Sequence, residues 1–107
     1  MEVNSLSKVK VAKVGDISEG DLKKVDVNGG PVALFKVEGK IYATTNICTH
    51  EHCELDENHM MHGDVVECTC HGSQFNIKTG ENVLPPAAEP LKTYKVSIEG
   101  EDVLIEA

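Results

Sequence analysis

The chain has no tryptophan, and its only aromatic residues are Phe35, Phe75, Tyr42 and Tyr94. A core built without many rings has to be aliphatic, and the many valines and isoleucines point to strands. No apolar run approaches the roughly 18 residues of a membrane span. The start, MEVNSLSKVKVAKV, alternates lysine with valine and lacks the apolar stretch of a secretory signal, so the expected location is the cytoplasm. Basic residues are in deficit, 10 against 18 acidic ones, for a formal net charge of −8. That balance argues against nucleic acid and against anionic membrane surfaces, because both need a positive patch. It suits a soluble protein whose partner is basic at the docking point, although surplus Asp and Glu also serve solubility alone. Repeats, low-complexity segments and linkers are absent too, and the 107 residues read as one domain, 1–107.

What is present is a series of short period-2 stretches between turn signals. KVKVAKV (8–14) precedes a loop at 15–21. LKKVDV (22–27), PVALFKV (31–37) and IYATT (41–45) form a meander, turned by NGG (28–30) and EGK (38–40). The alternation stops from Asn46 to about Gly63, where DENHMM (56–61) offers at most one short helical turn. DVVECT (64–69) and SQFNI (73–77) resume strands, and KTG (78–80) turns toward ENVL. PPAAEP (85–90) cannot join a central strand, and 93–107 closes as a hairpin around EGED. The expected fold class is all-β, a small antiparallel sandwich or barrel of short strands.

All four cysteines gather in CTHEHC (48–53) and CTCHGS (68–73), with three of the five histidines. In a cytoplasmic chain such a cluster reads first as metal or redox chemistry and only second as a disulfide framework. Cys48 and His50 are two apart, Cys68 and His71 three apart, with 17 residues between His50 and Cys68. Short spacings let two side chains of one loop reach one metal atom, and the longer gap lets two loops face each other. Two Cys with two His suit a [2Fe–2S] centre in which His replaces Cys on one iron. Tetrahedral zinc also takes Cys2His2, and two disulfides with incidental histidines are a third reading. Cys/His nucleophilic catalysis lacks an evident third, orienting residue. His52, His59 and His62 read as exposed loop histidines.

The pattern resembles the Rieske iron–sulfur proteins, and in particular the small soluble Rieske-type ferredoxins. The matching pieces are CTH (48–50), CTCHG (68–72) and FNIKTGE (75–81), and PLKTYKVSIEGEDVLIE (90–106) is similar to the family's closing hairpin. The resemblance implies antiparallel sheets with two loops, about 46–63 and 68–75, forming a cluster-binding tip. It implies that Cys48 and Cys68 ligate one iron of a single [2Fe–2S] cluster and His50 and His71 the other, through Nδ1. Two ferric ions, two sulfides and two thiolates sum to zero, so the centre accepts an electron more easily than an all-cysteine one. Such centres span roughly −150 to +300 mV. With no open coordination position, the cluster carries one electron and catalyses no bond change.

Cys53 and Cys70 are surplus to that ligand set. The respiratory and photosynthetic Rieske proteins have the corresponding pair as a disulfide, and many Rieske-type ferredoxins lack it, so the resemblance implies a Cys53–Cys70 disulfide in a chain of mixed character. Ser73 stands where the respiratory proteins have a serine hydrogen-bonded to a bridging sulfide. Phe75 replaces their tyrosine and Thr69 their usual proline, which implies a potential between the two groups. LPPAAEP (84–90) falls where a proline loop covers the cluster in the family. The expected role is a monomeric, non-enzymatic carrier from a reductase to a terminal aromatic-ring-hydroxylating dioxygenase. The rivals are a stand-alone or respiratory-like carrier, a small subunit of a nitrite-reductase-like enzyme, and a zinc- or disulfide-stapled binding domain.

Overall fold

The computed structural model describes residues 8–27, 29–48, 53–70, 72–84 and 89–106. Eleven strands run in order: β1 (Lys8–Lys13), β2 (Leu22–Val27), β3 (Gly30–Val37), β4 (Lys40–Thr45), β5 (His59–His62), β6 (Val65–Cys68), β7 (Ser73–Asn76), β8 (Asn82–Leu84), β9 (Thr93–Tyr94), β10 (Val96–Glu99) and β11 (Asp102–Glu106). They pair antiparallel in three sheets, ordered β1-β11-β10, β2-β3-β4-β9 and β5-β6-β7-β8. The expected all-β class and the β2–β3–β4 meander are both found. Residues 56–61 are not a helical turn. A turn at 55–57 leads instead into β5, and the only helical element among the described residues is a 3-10 turn at Val14–Asp16.

The composition of β3 explains the layering. Val32, Ala33, Leu34 and Phe35 are all fully buried, which a sheet with one wet face would not allow. Alternate side chains serve opposite faces. Ala33, Phe35 and Val37 pack with Val66, Phe75, Ile77 and Leu91, toward the β5–β8 sheet. Val32 and Leu34 pack with Ala12, Val103 and Ile105, toward the β1-β11-β10 sheet. The middle sheet is therefore covered on both sides by apolar cores, the one toward β5–β8 holding both phenylalanines. Cys48, Cys68 and Leu55 belong to the first of them, which places the sulfur-bearing loops over that side.

Two turns show how polar groups and glycine hold this frame. Asn76 closes the β7–β8 turn, its Oδ1 accepting from the N–H of Lys78 at 2.8 Å and of Thr79 at 3.2 Å. Gly80 lies at φ +81, and a Cβ there would run into the Leu91 carbonyl and come within 2.9 Å of Thr93 Cγ2. Its bare backbone lets Leu91 donate to the Gly80 carbonyl at 2.7 Å, which pins the end of the proline-rich loop to the core.

The β3–β4 turn puts both Glu38 (φ 54) and Gly39 (φ 77) in the left-handed region, which is costly for Glu38. The Glu19 carboxylate accepts from the N–H of Glu38 at 2.6 Å and of Gly39 at 2.9 Å, and so holds the turn. The same two bonds, Gly39 first, keep the Glu19 carboxyl below its ordinary 4.5. A lowered carboxyl stabilises the fold above its unfolded-state pKa and loses that contribution as pH falls through the folded-state value. Glu19→Gln is accordingly expected to melt below the native chain at pH 7. The gap should close as pH drops below 4.5, as read by thermal denaturation at a series of pH values.

Candidate metal centre

Each cysteine-bearing loop is built on a short ladder of backbone bonds. After β4 the chain folds back on itself. Leu55 donates to the Asn46 carbonyl at 2.7 Å, and Cys48 donates to the Cys53 carbonyl at 2.8 Å. Between these bonds lies an antiparallel bridge of Ile47 with Glu54. This zipped stem leaves residues 49–52 as the span between Cys48 and Cys53. Its base is a fully buried Asn46, whose N–H donates to the Pro31 carbonyl at 3.0 Å. The Asn46 amide donates to Asp56 Oδ1 at 2.7 Å, and its Oδ1 accepts from the Asp56 N–H at 3.0 Å. A buried amide satisfied on both sides fixes the stem at a defined angle to β4. Outside, Lys24 Nζ reaches Glu54 at 2.9 Å. That bond raises the lysine pKa from 10.5, so the tie is lost only at strongly alkaline pH.

The second loop is the β6–β7 turn. Cys68, the last residue of β6, pairs with Ser73, the first of β7. The Gly72 N–H (φ 83) closes the turn onto the Cys68 carbonyl at 2.8 Å. Thr69 N–H donates to the Asn58 carbonyl at 3.1 Å, joining this turn to the end of the first loop. Ser73 is fully buried, directly across the ladder from Cys68, and Phe75 is fully buried two residues further into the core.

The four cysteines separate into two kinds. Cys53 and Cys70 form a disulfide between the loops, with Cα atoms 6.7 Å apart. Cys48 and Cys68 stay out of it, each 1% exposed. The sulfurs of Cys53, Cys68 and Cys70 lie within 4.8 Å of one another. Two buried thiols at the mouths of two mutually tied loops are a soft donor set suited to iron or zinc. Disulfide sulfurs are not thiolates and offer neither metal a strong bond. His50, His52 and His71 lie outside the described residues, and so does 85–88 of the proline-rich loop. Beside Cys48, a shallow cavity of about 340 Å³ is lined by Thr45, Ile47, Pro90, Lys92 and Tyr94, with Lys92 Nζ 5.0 Å from the Tyr94 ring centre.

The remaining two histidines are not loop residues. Both lie in β5. His62 is exposed and pairs with Glu67 at 2.9 Å. His59 is half-buried and sits across the ladder from Cys68, with a buried Nδ1 that no described group hydrogen-bonds. Reading it as exposed missed the strand, because HMMH shows no clean alternation. Asn46 and Asp56 were equally hidden in a polar stretch. Their ten-residue spacing carries meaning only once the stem is formed.

The Rieske [2Fe-2S] domain profile matches residues 7–95. The biphenyl dioxygenase ferredoxin subunit of Pseudomonas sp. (strain KKS102) is 40% identical over 97 residues, 91% of this chain and 89% of that protein. The solved ferredoxin of carbazole 1,9a-dioxygenase from Nocardioides aromaticivorans IC177 superposes with a TM-score of 0.87 at 28% identity, covering 92% of this chain and 96% of its own. A chain in a solved complex of reduced oxygenase and oxidized ferredoxin in carbazole 1,9a-dioxygenase superposes with a TM-score of 0.86 at 33% identity, covering 92% of each.

The disulfide has a direct chemical readout. Alkylation of the denatured, non-reduced chain should modify two cysteines, Cys48 and Cys68, and prior reduction should raise the number to four. Four modifications without reduction would mean that the loops are not cross-linked.

Proposed function

Since the chain belongs to the Rieske [2Fe-2S] domain family, we propose that it is the ferredoxin component of an aromatic-ring-hydroxylating dioxygenase system. In this reading it is a monomeric, cytoplasmic one-electron carrier, not an enzyme, with residues 1–107 forming a single Rieske domain. The observation that carries the reading is the sorting of four cysteines into one inter-loop disulfide and two buried thiols. Cys48 and Cys68 would hold one iron and His50 and His71 the other. The bound cluster supplies a reversible one-electron couple.

The chain's own residues then have separable tasks. The hydrogen-bonded pairing of 46–48 with 53–55 and the β6–β7 ladder would hold Cys48 and Cys68 on paired backbone, which limits reorganisation of the thiolate side on electron uptake. The disulfide keeps the loops in register. The apolar core around Cys48 and Cys68 keeps water from the thiolate side. Electron exchange with a reductase and then an oxygenase needs a small, transient docking face. A relative solved in a complex of reduced oxygenase and oxidized ferredoxin supports an oxygenase as the acceptor. The net charge of −8 fits partners that are basic where they dock.

A second reading rests on the disulfide and on Ser73, which favour a respiratory-like carrier of higher potential. The two are separated by the midpoint potential against pH. The oxygenase chain expects a low, nearly pH-independent midpoint. The respiratory-like carrier expects a high one that falls as a ligand imidazole loses its proton.

The purified chain should hold two irons and two sulfides. On reduction by the reductase of a dioxygenase system it should give a rhombic EPR signal. Cys48→Ser and His71→Ala should each lose the iron. Stoichiometric zinc in a colourless native chain would overturn the reading.

Ser73 is the residue expected to tune the potential, through a hydroxyl bond that favours the electron-rich state. Ser73→Ala should lower the midpoint by about 40 mV, the one-electron equivalent of a hydrogen bond of about 1 kcal/mol. An unchanged midpoint would leave Ser73 a turn hydroxyl only.

A further inference from the structure

We propose that Cys53, Cys68 and Cys70 form a latent three-thiolate site for a soft divalent ion of the zinc type. Reduction of the Cys53–Cys70 disulfide opens it, and it competes with the cluster for Cys68. The geometry comes first. The three sulfurs already lie within 4.8 Å of one another. A tetrahedral zinc with thiolates at about 2.3 Å spaces its sulfurs about 3.8 Å apart. Any disulfide holds its two sulfurs at about 2 Å. Reduction therefore has to separate one pair by less than about 2 Å to reach the spacing the ion needs. The third sulfur lies within 4.8 Å of both, so it has to close by at most about 1 Å. Cys53 and Cys70 are only partly buried, so an ion has a path in from the surface, while Cys68 supplies an anchor from the core.

The chemistry selects the class of ion. Three thiolates with no carboxylate among them make a soft donor set, which prefers zinc or cadmium over magnesium or calcium. The steps balance. A trialkylphosphine delivers two electrons to the S–S bond and takes oxygen from water to become the phosphine oxide, the two protons of that water complete two thiols, and the ion then displaces thiol protons to solvent. Only the competition for Cys68 rests on the Rieske reading; the site itself rests on the three sulfurs. The disulfide thus decides which metal the loops take. Oxidised, it withdraws two of the three converging donors and leaves Cys68 to the cluster. Reduced, the same junction traps a different metal through the cluster's own ligand.

The test uses the full chain with cadmium as the probe and a trialkylphosphine as the reductant. Cadmium retained after gel filtration and the thiolate-to-cadmium absorption band are the readouts. Reduction should raise retention at least about tenfold, to one ion per chain. Cys48→Ser, which removes a proposed cluster ligand but none of the three sulfurs, should show the same rise. That variant keeps the result independent of cluster occupancy. The double variant Cys53→Ser/Cys70→Ser should show no rise. Retention unchanged by reduction in both the native and Cys48→Ser chains would overturn the proposal. So would a double variant that holds as much cadmium as the reduced native chain. Failure of the Rieske reading would appear separately, as an absent EPR signal in the untreated protein.

Discussion

The bond between Cys53 and Cys70 joins the loop that leads from the middle sheet into β5 to the turn within the β5–β8 sheet. The first loop leaves the middle sheet after β4, and the second is the turn between β6 and β7. Each loop has its own backbone ladder, but a ladder fixes a loop only relative to its own strands. Among the described residues the Thr69–Asn58 bond and the β5–β6 ladder tie the end of the first loop to the second, and the disulfide adds the covalent link at Cys53 and Cys70. With 17 residues of separation, the loop-entropy model gives it roughly 3 kcal/mol of stabilisation. Its functional weight is larger than that figure, because ligands from two loops make one site only if the loops keep a common frame.

That frame depends in turn on a sheet buried on both faces. One row of β3 packs toward the β5–β8 sheet and the other toward β1-β11-β10. The strand that supports the site is thereby gripped from behind, and motion of the β1-β11-β10 layer cannot loosen the site without opening a core. Gly80 extends the same logic to the proline-rich loop. Its close approach to Leu91 fixes where that loop re-enters the core, even though neither residue lies near a sulfur-bearing loop in sequence.

Much of this was legible in the sequence. Strands with clean alternation, such as KVKVAKV and LKKVDV, were placed to within a residue or two, as were the turns marked by NGG, EGK and EGED. The disulfide pairing came from resemblance, since four cysteines alone allow three connectivities. What stayed hidden had weak local signal and strong tertiary context. HMMH forms β5 because β6 offers it an edge, and Thr93–Tyr94 forms β9 for the same reason beside β4. The double burial of β3 was written in VALF, where four apolar residues run on without alternation. The roles of Asn46 and Asp56 required the stem, and His59 required β5.

The sequence raised the question of why a ferredoxin-sized chain should carry the extra cysteine pair. Stabilisation is an incomplete reason, since the two cores already fold the chain and an aliphatic pair at those positions would also pack. Sulfur at 53 and 70 is hazardous beside a thiolate ligand, because unpaired thiols so near Cys68 would be rival donors for any soft metal. Bonding them to each other removes the hazard and closes the gap between the loops in one step. The disulfide and the ligand set are then a single constraint. The cross-link joins the loops that carry Cys48 and Cys68 and leaves those two as the free cysteines, which is the sorting that the proposed two-thiolate, two-imidazole site calls for.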